Sequence, residues 1–331
     1  MYAIRLLNRK ETASLLEMQE VVGCVEEAYG LYSTGKAGLW PVIFHEFQPG
    51  VRDMDIKSGY LEGAGLFGLK VVGYSAENPQ KIHAPALAGL VLVFSIETGQ
   101  PLGLVDGMTV TNLRTGAAGG VGAKFLARRD SRHVFICGTG AQGRAQLQGL
   151  AAVMPGLEKV TVTGPREEES EQYKREMSRA FPRLTLETIP WKEREAGVSR
   201  ADIIVTCTPA REPLIMKDWV RPGTHINAIG ADMTEKQEID PLLVASARLF
   251  VDSASQALHH GECHHAYDAG LILKEEVAEI GSLIAGSAQG RQGDEEITLF
   301  DATGMALQDI ITSHLALKRG EERGLGTLIE M

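Results

Sequence analysis

Cysteine is scarce in this chain: Cys24, Cys137, Cys207 and Cys263 are the only ones in 331 residues, and no two form a CxxC pair. A disulfide framework and a thiolate metal knuckle have nothing to build on, and the usage fits a reducing compartment. Cys137 and Cys207 each end an apolar run and read as small buried residues. Basic residues are also short: 33 Lys and Arg against 43 Asp and Glu, a formal net charge of −10. That deficit argues against nucleic acid and against anionic membranes as partners. No stretch approaches the roughly 18 unbroken apolar residues of a membrane span. Arg5, Arg9 and Lys10 are followed by no apolar stretch of signal-peptide length, so a cytoplasmic location is expected. There is no Gly-x-Ser-x-Gly elbow and no HExxH, which leaves serine-nucleophile and zinc-hydrolase chemistry without a motif. The run from His259 to His265 holds four histidines, a cysteine and a glutamate. No second cluster supplies distant ligands, and neighbouring residues converge poorly on one ion, so no metal is expected.

Glycine is plentiful, with 37 in the chain, and its most informative placement is His133-Val-Phe-Ile-Cys-Gly-Thr-Gly-Ala-Gln-Gly143. A short apolar run, Val134–Cys137, meets Gly138-x-Gly140-x-x-Gly143, and Leu147, Leu150 and Val153 then recur at helical spacing. Strand, glycines, helix is the order a dinucleotide site needs. The first glycine permits the tight turn, the second admits a pyrophosphate, and the third lets helix and strand lie close. The helix start offers free N–H groups and a positive dipole end.

The length suggests about two domains. In the first part, the apolar spacing of Leu15, Leu16, Met18, Val21, Val22, Val25 and Ala28 predicts a helix over Thr12–Tyr29. Strands are predicted over 42–47, 53–60, 67–74 and 87–96, with Glu97–Gln100 a hairpin turn and 101–105 the return strand. A helix over Thr109–Ala127 is crowded with small residues, including Thr115, Gly116, Gly119, Gly120 and Gly122, which points to a close approach by another backbone or by a ligand. Arg128–Ser131 reads as a linker. Beyond it strands and helices alternate: strands over 159–163, 184–189, 202–207, 225–229, 249–252 and 297–300, and helices over 166–181, 239–247 and 303–317. Alternation of this kind predicts α/β architecture, a Rossmann doubly wound parallel sheet. The tail from Lys318 is charged and is expected to dock loosely.

In such sheets the ligand lies across the carboxyl ends of the strands. The loops carrying Gly164-Pro165-Arg166, Thr206-Cys207-Thr208 and Gly230-Ala231-Asp232 therefore come into view, and Thr206, Thr208 and Ala231 are expected at the cofactor with Arg114 and Thr115. An NAD-preferring site usually places a carboxylate at the second strand's end. Here that tip reads Gly164-Pro165-Arg166, and Arg166 is suited to a 2′-phosphate, so NADP is favoured over NAD. Lys70 sits in an otherwise apolar strand, where a lysine is costly unless it meets an anion; Arg114 is suited to clamp a carboxylate or phosphate. Asp232, just past a buried strand, is placed to accept a substrate ammonium or shuttle a proton, or else to cap a helix. Asp55 and Lys57 are two apart on a strand and share a face.

These blocks together resemble the ornithine cyclodeaminase/mu-crystallin family, nearest to its alanine dehydrogenase and imine reductase branch. The resemblance rests on Gly68-Leu-Lys-Val-Val72, Glu97-Thr-Gly-Gln-Pro-Leu102, Asp106-Gly107, Leu113-Arg-Thr-Gly-Ala-Ala118, Gly138-Thr-Gly-Ala-Gln142, Gly223–Asp232, Glu295–Gly304 and Gln308-Asp309. It implies a homodimer of two-domain chains. A discontinuous α/β substrate-binding and dimerisation domain spans 1–128 and 304–331, and the Rossmann domain spans 129–303. It also implies that Lys70 and Arg114 hold a substrate carboxylate, that the pyrophosphate loop falls on Gly138, Gly140, Ala141 and Gln142, that Asp232 is catalytic, and that Asp55 takes the place of the glutamate that meets the distal amine in ornithine cyclodeaminases. The implied activity is an NAD(P)-dependent oxidoreductase acting on the C–N bond of a small amino or imino acid. Two alternatives stand beside it: a cyclodeaminase with tightly bound NAD converting ornithine to proline and ammonia, and a non-catalytic NADPH-binding protein like mu-crystallin. The chain departs from the family at Pro41-Val42-Ile43, where a carboxylate-binding arginine is usual and Lys57 or Arg52 is the substitute at hand. It departs again at Ser58, for a proline, and at Met233-Thr234-Glu235-Lys236, for Pro-Gly-Lys after the aspartate.

Overall fold

The computed structural model describes residues 2–331. The chain divides into two compact units, one running to Arg114 and resumed from Met305 to the C-terminus, the other Thr115–Gly304. The division falls inside helix Gly107–Leu126, ahead of the Arg128–Ser131 stretch. Among the described residues no helix is long and apolar enough to cross a membrane.

The first unit is built on a mixed sheet. Its path runs Thr327–Glu330, Ala3–Leu7, Pro101–Asp106, Leu87–Ser95, Leu66–Ser75, Arg52–Leu61 and Ala37–Leu39, with Ile43–Gln48 also paired to Arg52–Leu61. One row across it is made small. Gly59 faces Gly68, Gly68 faces Val93, and Val93 faces Gly103. A Cβ would lie 3.0 Å from Leu307 at Gly59, 3.3 Å from Ile310 at Gly68 and 2.3 Å from Leu317 at Gly103. Those three partners belong to helix Ala306–Glu322, so the helix lies where these three glycines leave out a side chain.

Three expectations need correction here. The N-terminal helix is two helices, Arg9–Leu15 and Met18–Ser33, because Asn8 starts the first with a reciprocal cap and Leu16 and Glu17 are extended. Asn8 Oδ1 accepts from the amides of Lys10 and Glu11 at 2.9 and 3.1 Å, while Glu11 accepts from Asn8 N at 2.9 Å. The C-terminal tail is not loose: the last helix continues to Glu322, and Thr327–Glu330 adds to the sheet antiparallel to Ala3–Leu7. The helix expected from Ile239 begins only at Pro241, where proline suits the first helical position and Asp240 accepts from Leu242 N at 2.9 Å. Residues Gln237–Ile239 before it form a strand against Arg211–Ile215.

The second unit carries the parallel sheet. Its order is Thr185–Thr188, Lys159–Thr163, His133–Cys137, Ile203–Thr206, His225–Ala228, Thr298–Asp301, Arg248–Val251 and Val277–Glu279. The central strands are four or five residues long and buried almost throughout, as expected where helices cover both faces. Backbone, not ligand, accounts for much of the small-residue helix. A Cβ on Gly116 would stand 2.2 Å from the Ala145 carbonyl oxygen, and one on Gly149 1.9 Å from that of Gly116. Helices Gly107–Leu126 and Ala141–Val153 thus touch main chain to main chain. Gln146 secures the contact by donating Nε2 to the Thr115 carbonyl at 2.7 Å, which spends that oxygen within the protein.

Candidate active site

The glycine turn lies between strand His133–Cys137 and helix Ala141–Val153. Gly138 has φ +129, and a Cβ there would sit 2.7 Å from Cys207 Sγ; one on Gly143 would lie 2.2 Å from the Gly138 carbonyl oxygen. Only glycine fits either place. Gly140 differs: a Cβ would meet nothing within 4 Å. It is the N-terminal cap residue of the helix, and no side chain caps the first amides. An uncapped helix start facing open space suits a phosphate group. Arg144 braces the turn from its carbonyl side. Its Nη1 donates to the carbonyls of Thr139 and Gly140, Nε donates to Glu176 at 2.7 Å, and the guanidinium rests over Tyr173. Gly138, Gly140, Ala141 and Gln142 make up this turn and the first residues of the helix.

The neighbouring strands place the remaining candidates of this unit. Strand Ile203–Thr206 pairs with His133–Cys137, and His225–Ala228 pairs with Ile203–Thr206, all parallel. Thr206 ends the first of these and Thr208 follows it, and Ala231 and Asp232 follow the second. Asp232 Oδ1 pairs with Lys236 Nζ at 2.5 Å. Arg166 stands at the start of helix Glu167–Ala180, beyond strand Lys159–Thr163, largely exposed and paired with Glu169 at 2.5 Å. Glu167, Glu168 and Glu169 fill the first turn of that helix, so the surroundings of Arg166 are acidic. The histidine run spends ring nitrogens on carbonyls: His264 Nδ1 on Gly261 at 2.7 Å and His265 Nε2 on Lys236 at 3.2 Å.

In the first unit the structure brings Lys70 and Arg114 to one carboxylate that sequence reasoning did not single out as a site residue, Asp309. Lys70 donates Nζ to Asp309 Oδ2 at 2.9 Å and to Thr111 Oγ1 at 3.2 Å. Arg114 donates Nε to Asp309 Oδ1 at 3.2 Å and Nη1 to Gln308 Oε1 at 3.1 Å. Gln308 Oε1 also accepts from Met305 N at 2.9 Å, and its Nε2 donates to Tyr29 Oη at 2.7 Å, which fixes the amide's orientation. Lys70 is 3% exposed, Arg114 6% and Asp309 0%. Two buried cations thus share one buried anion, and the remaining positive charge invites an anionic ligand. Burial drives the Lys70 ammonium down to about 8; Asp309 opposes this, while Arg114 and Lys57 add to it. Burial alone would raise Asp309, yet Arg114 and Lys70 hold it below the ordinary carboxylate range.

Lys57 is the direct cross-strand neighbour of Lys70, and Asp55, two residues away, faces Val72 on the same side of the sheet. That end of the face is acidic. Asp53 is raised by burial, then by Asp55 and Glu46. The signal that would have found Asp309 is its place among Leu307, Ile310 and Ile311: a wholly buried aspartate needs cations, as a buried lysine needs an anion.

Comparison with known proteins gives the same arrangement a context. The family model described as the ornithine cyclodeaminase/mu-crystallin family matches residues 4–323. Alanine dehydrogenase from Archaeoglobus fulgidus is 38% identical over 327 residues, covering 98% of each chain. A solved archaeal alanine dehydrogenase dimer with bound NAD superposes with a TM-score of 0.92 at 37% identity, over 100% of both chains. Thermococcus litoralis Δ1-pyrroline-2-carboxylate reductase, solved with NADH and L-proline, superposes with a TM-score of 0.92 at 33% identity, over 98% of this chain and 99% of that one. With the match spanning nearly its whole length, this chain belongs to the ornithine cyclodeaminase/mu-crystallin family.

Proposed function

We propose that this protein is an NAD(P)-dependent oxidoreductase acting on a C–N bond, reducing the imine of a 2-oxo acid or oxidising the corresponding amino acid. The observation that carries the reading is the buried group of two cations around Asp309, present in one chain with a glycine turn suited to a pyrophosphate. The relatives' names support it: alanine and pyrroline-2-carboxylate each carry a carboxylate beside a carbon bonded to nitrogen. The cofactor is a nicotinamide dinucleotide, held by Gly138, Gly140, Ala141 and Gln142 at its pyrophosphate and flanked by Thr206, Thr208 and Ala231. When bound in reduced form it supplies the hydride.

Lys70 and Arg114, with Lys57 near, take the substrate carboxylate, and Asp55 borders its side chain. Asp232, charge-paired with Lys236, favours the protonated iminium, the form that accepts hydride, and takes up or returns the proton on nitrogen. The test is a panel of 2-oxo acids with ammonia or amines, and of amino acids, followed by nicotinamide absorbance with NADH and with NADPH. Turnover with at least one carboxylate-bearing substrate is expected, and none across the panel would end the reading. The NADP preference proposed from Arg166 requires that residue to leave Glu169 for a 2′-phosphate, against the field of three neighbouring glutamates. A lower KM for NADPH than for NADH is its expected outcome, and a strong NADH preference would discard it.

A homodimer belongs to the same reading. Strand Ile43–Gln48 exposes Ile43, Phe44 and Phe47 at 58, 49 and 65%, an apolar edge that a second copy would cover. Sedimentation should give twice the 35.8 kDa chain mass, and Phe44→Asp with Phe47→Asp should shift it to the single chain. A dimer untouched by the double change would move the interface elsewhere. The dispersed free cysteines fit a cytoplasmic setting, which cell fractionation would check.

A further inference from the structure

We propose that Glu238 is a positioning residue for the nicotinamide half of the cofactor: its buried carboxylate ties the loop after strand Ile203–Thr206 to the loop after strand His225–Ala228 and so fixes both. This deepens the oxidoreductase reading above and rests on it.

Glu238 Oε1 accepts from Thr208 N and from Thr208 Oγ1, both at 2.7 Å. Its Oε2 accepts from Gly230 N at 3.0 Å. One side chain therefore bonds two loops that neighbouring strands deliver. The fit is close. A Cβ on Gly230 would stand 2.2 Å from Glu238 Oε2, so glycine is needed for the carboxylate to reach that amide. Glu238 is in turn held from behind. Its own amide donates to Glu262 Oε1 and Oε2 at 2.9 and 3.1 Å, and Ile239 N donates to Glu262 Oε1 at 2.6 Å. Both glutamates are almost wholly buried. Two buried carboxylates are an expensive way to glue a core, since apolar residues of similar volume usually do as well or better. What they provide instead is fixed geometry.

The strand order says what that geometry serves. In a doubly wound sheet the dinucleotide lies across the switch point, one half over each set of strands. The switch here is between His133–Cys137 and Ile203–Thr206, where the chain crosses from the Lys159–Thr163 side to the His225–Ala228 side. With the pyrophosphate at Gly140 and the adenosine half toward Arg166, the other half runs over the ends of Ile203–Thr206 and His225–Ala228. Those ends carry Thr208 and Gly230, the partners of Glu238. Asp232 follows Gly230 by two residues, so the same clamp sets where the proposed proton-handling group begins.

The experiment compares the Kd of the reduced dinucleotide with that of ADP-ribose, which has the adenosine and pyrophosphate but no nicotinamide. NADH or NADPH is used, whichever the unaltered protein binds more tightly. Glu238→Gln keeps the shape but turns an amide N–H toward Gly230 N–H. It should weaken the reduced dinucleotide about tenfold, raise its KM by a similar factor, and leave ADP-ribose within about twofold. Thr208→Val, a milder change that keeps the backbone donor, should give a smaller loss of the same selectivity and covers the case of a misfolded glutamine variant. Equal weakening of both ligands, or no weakening of either in both variants, overturns the proposal and leaves the oxidoreductase reading standing. An unaltered protein that binds neither ligand ends the oxidoreductase reading and this proposal with it.

Discussion

Asp232→Asn is expected to lower kcat for imine reduction about a thousandfold, within the range that general acid–base groups contribute, while the Kd for reduced dinucleotide changes less than about twofold. The reasoning starts from place. Strand His225–Ala228 is buried along its whole length, and Asp232 follows it within a few residues at the carboxyl end of the sheet, where the chemistry of such folds is done. Its carboxylate lies against the Lys236 ammonium, with Oδ1 and Nζ 2.5 Å apart. Asparagine has the same outline and hydrogen-bonding reach but neither accepts a proton nor supports an iminium charge. The loss should therefore fall on turnover and spare cofactor binding. Steady-state rates together with fluorescence titration of the nicotinamide separate the two. A variant that keeps a tenth or more of the original kcat would remove Asp232 from the chemistry.

How much of this was legible in the residues depends on how local each cause is. The glycine turn was legible because Gly138, Gly140 and Gly143 answer three separate local demands within six positions, and a strand and a helix flank them. The small-residue helix was half legible. Its sequence said that something comes close, but the partner, Ala145 and Gly149, lies on a separate helix, Ala141–Val153, that no periodicity connects to it. The strand Thr327–Glu330 escaped because an edge strand of exposed residues earns its place only from Ala3–Leu7, at the other end of the chain. The split of the N-terminal helix escaped because apolar spacing continues across Leu16, while the Asn8 cap that fixes the first segment is a side-chain bond. At the site, Lys70 and Arg114 stood out as buried cations in want of an anion. The anion itself lies 239 and 195 residues further along, in a helix whose register on the sheet is set by Gly59, Gly68 and Gly103. Glu238 went unremarked for the same reason: its partners are backbone amides of other loops.

Asp309→Asn is the change with the largest expected effect in the first unit, because one substitution alters two buried cations at once. The carboxylate accepts from Lys70 and Arg114, and asparagine keeps the shape but removes the charge. Breaking a buried pair from one side costs about 3–5 kcal/mol, so a clear fall in Tm is expected near neutrality. The sign with pH follows from the shift. Asp309 is lowered in the folded protein, so its contribution is present above the unfolded carboxylate range and is lost as pH falls through the folded value. The gap in stability between the two proteins should thus be full at pH 7 and close in strong acid.

Activity adds a readout that a merely structural role would not move. Lys70 stands at about 8 in the unaltered protein, with Asp309 the group that holds it up against burial, Arg114 and Lys57. As a cation it grips a carboxylate only below that value, so the KM of a carboxylate substrate should climb as pH passes about 8. Without Asp309, burial, Arg114 and Lys57 all push Lys70 lower. The climb in KM should then begin at a more acidic pH, with KM at pH 7.5 raised on the order of a hundredfold if a charge-assisted contact of roughly 3 kcal/mol is lost. A variant that is less stable but keeps the same pH at which KM turns upward would mean that Asp309 only packs the helix, and that Lys70 does not hold the substrate.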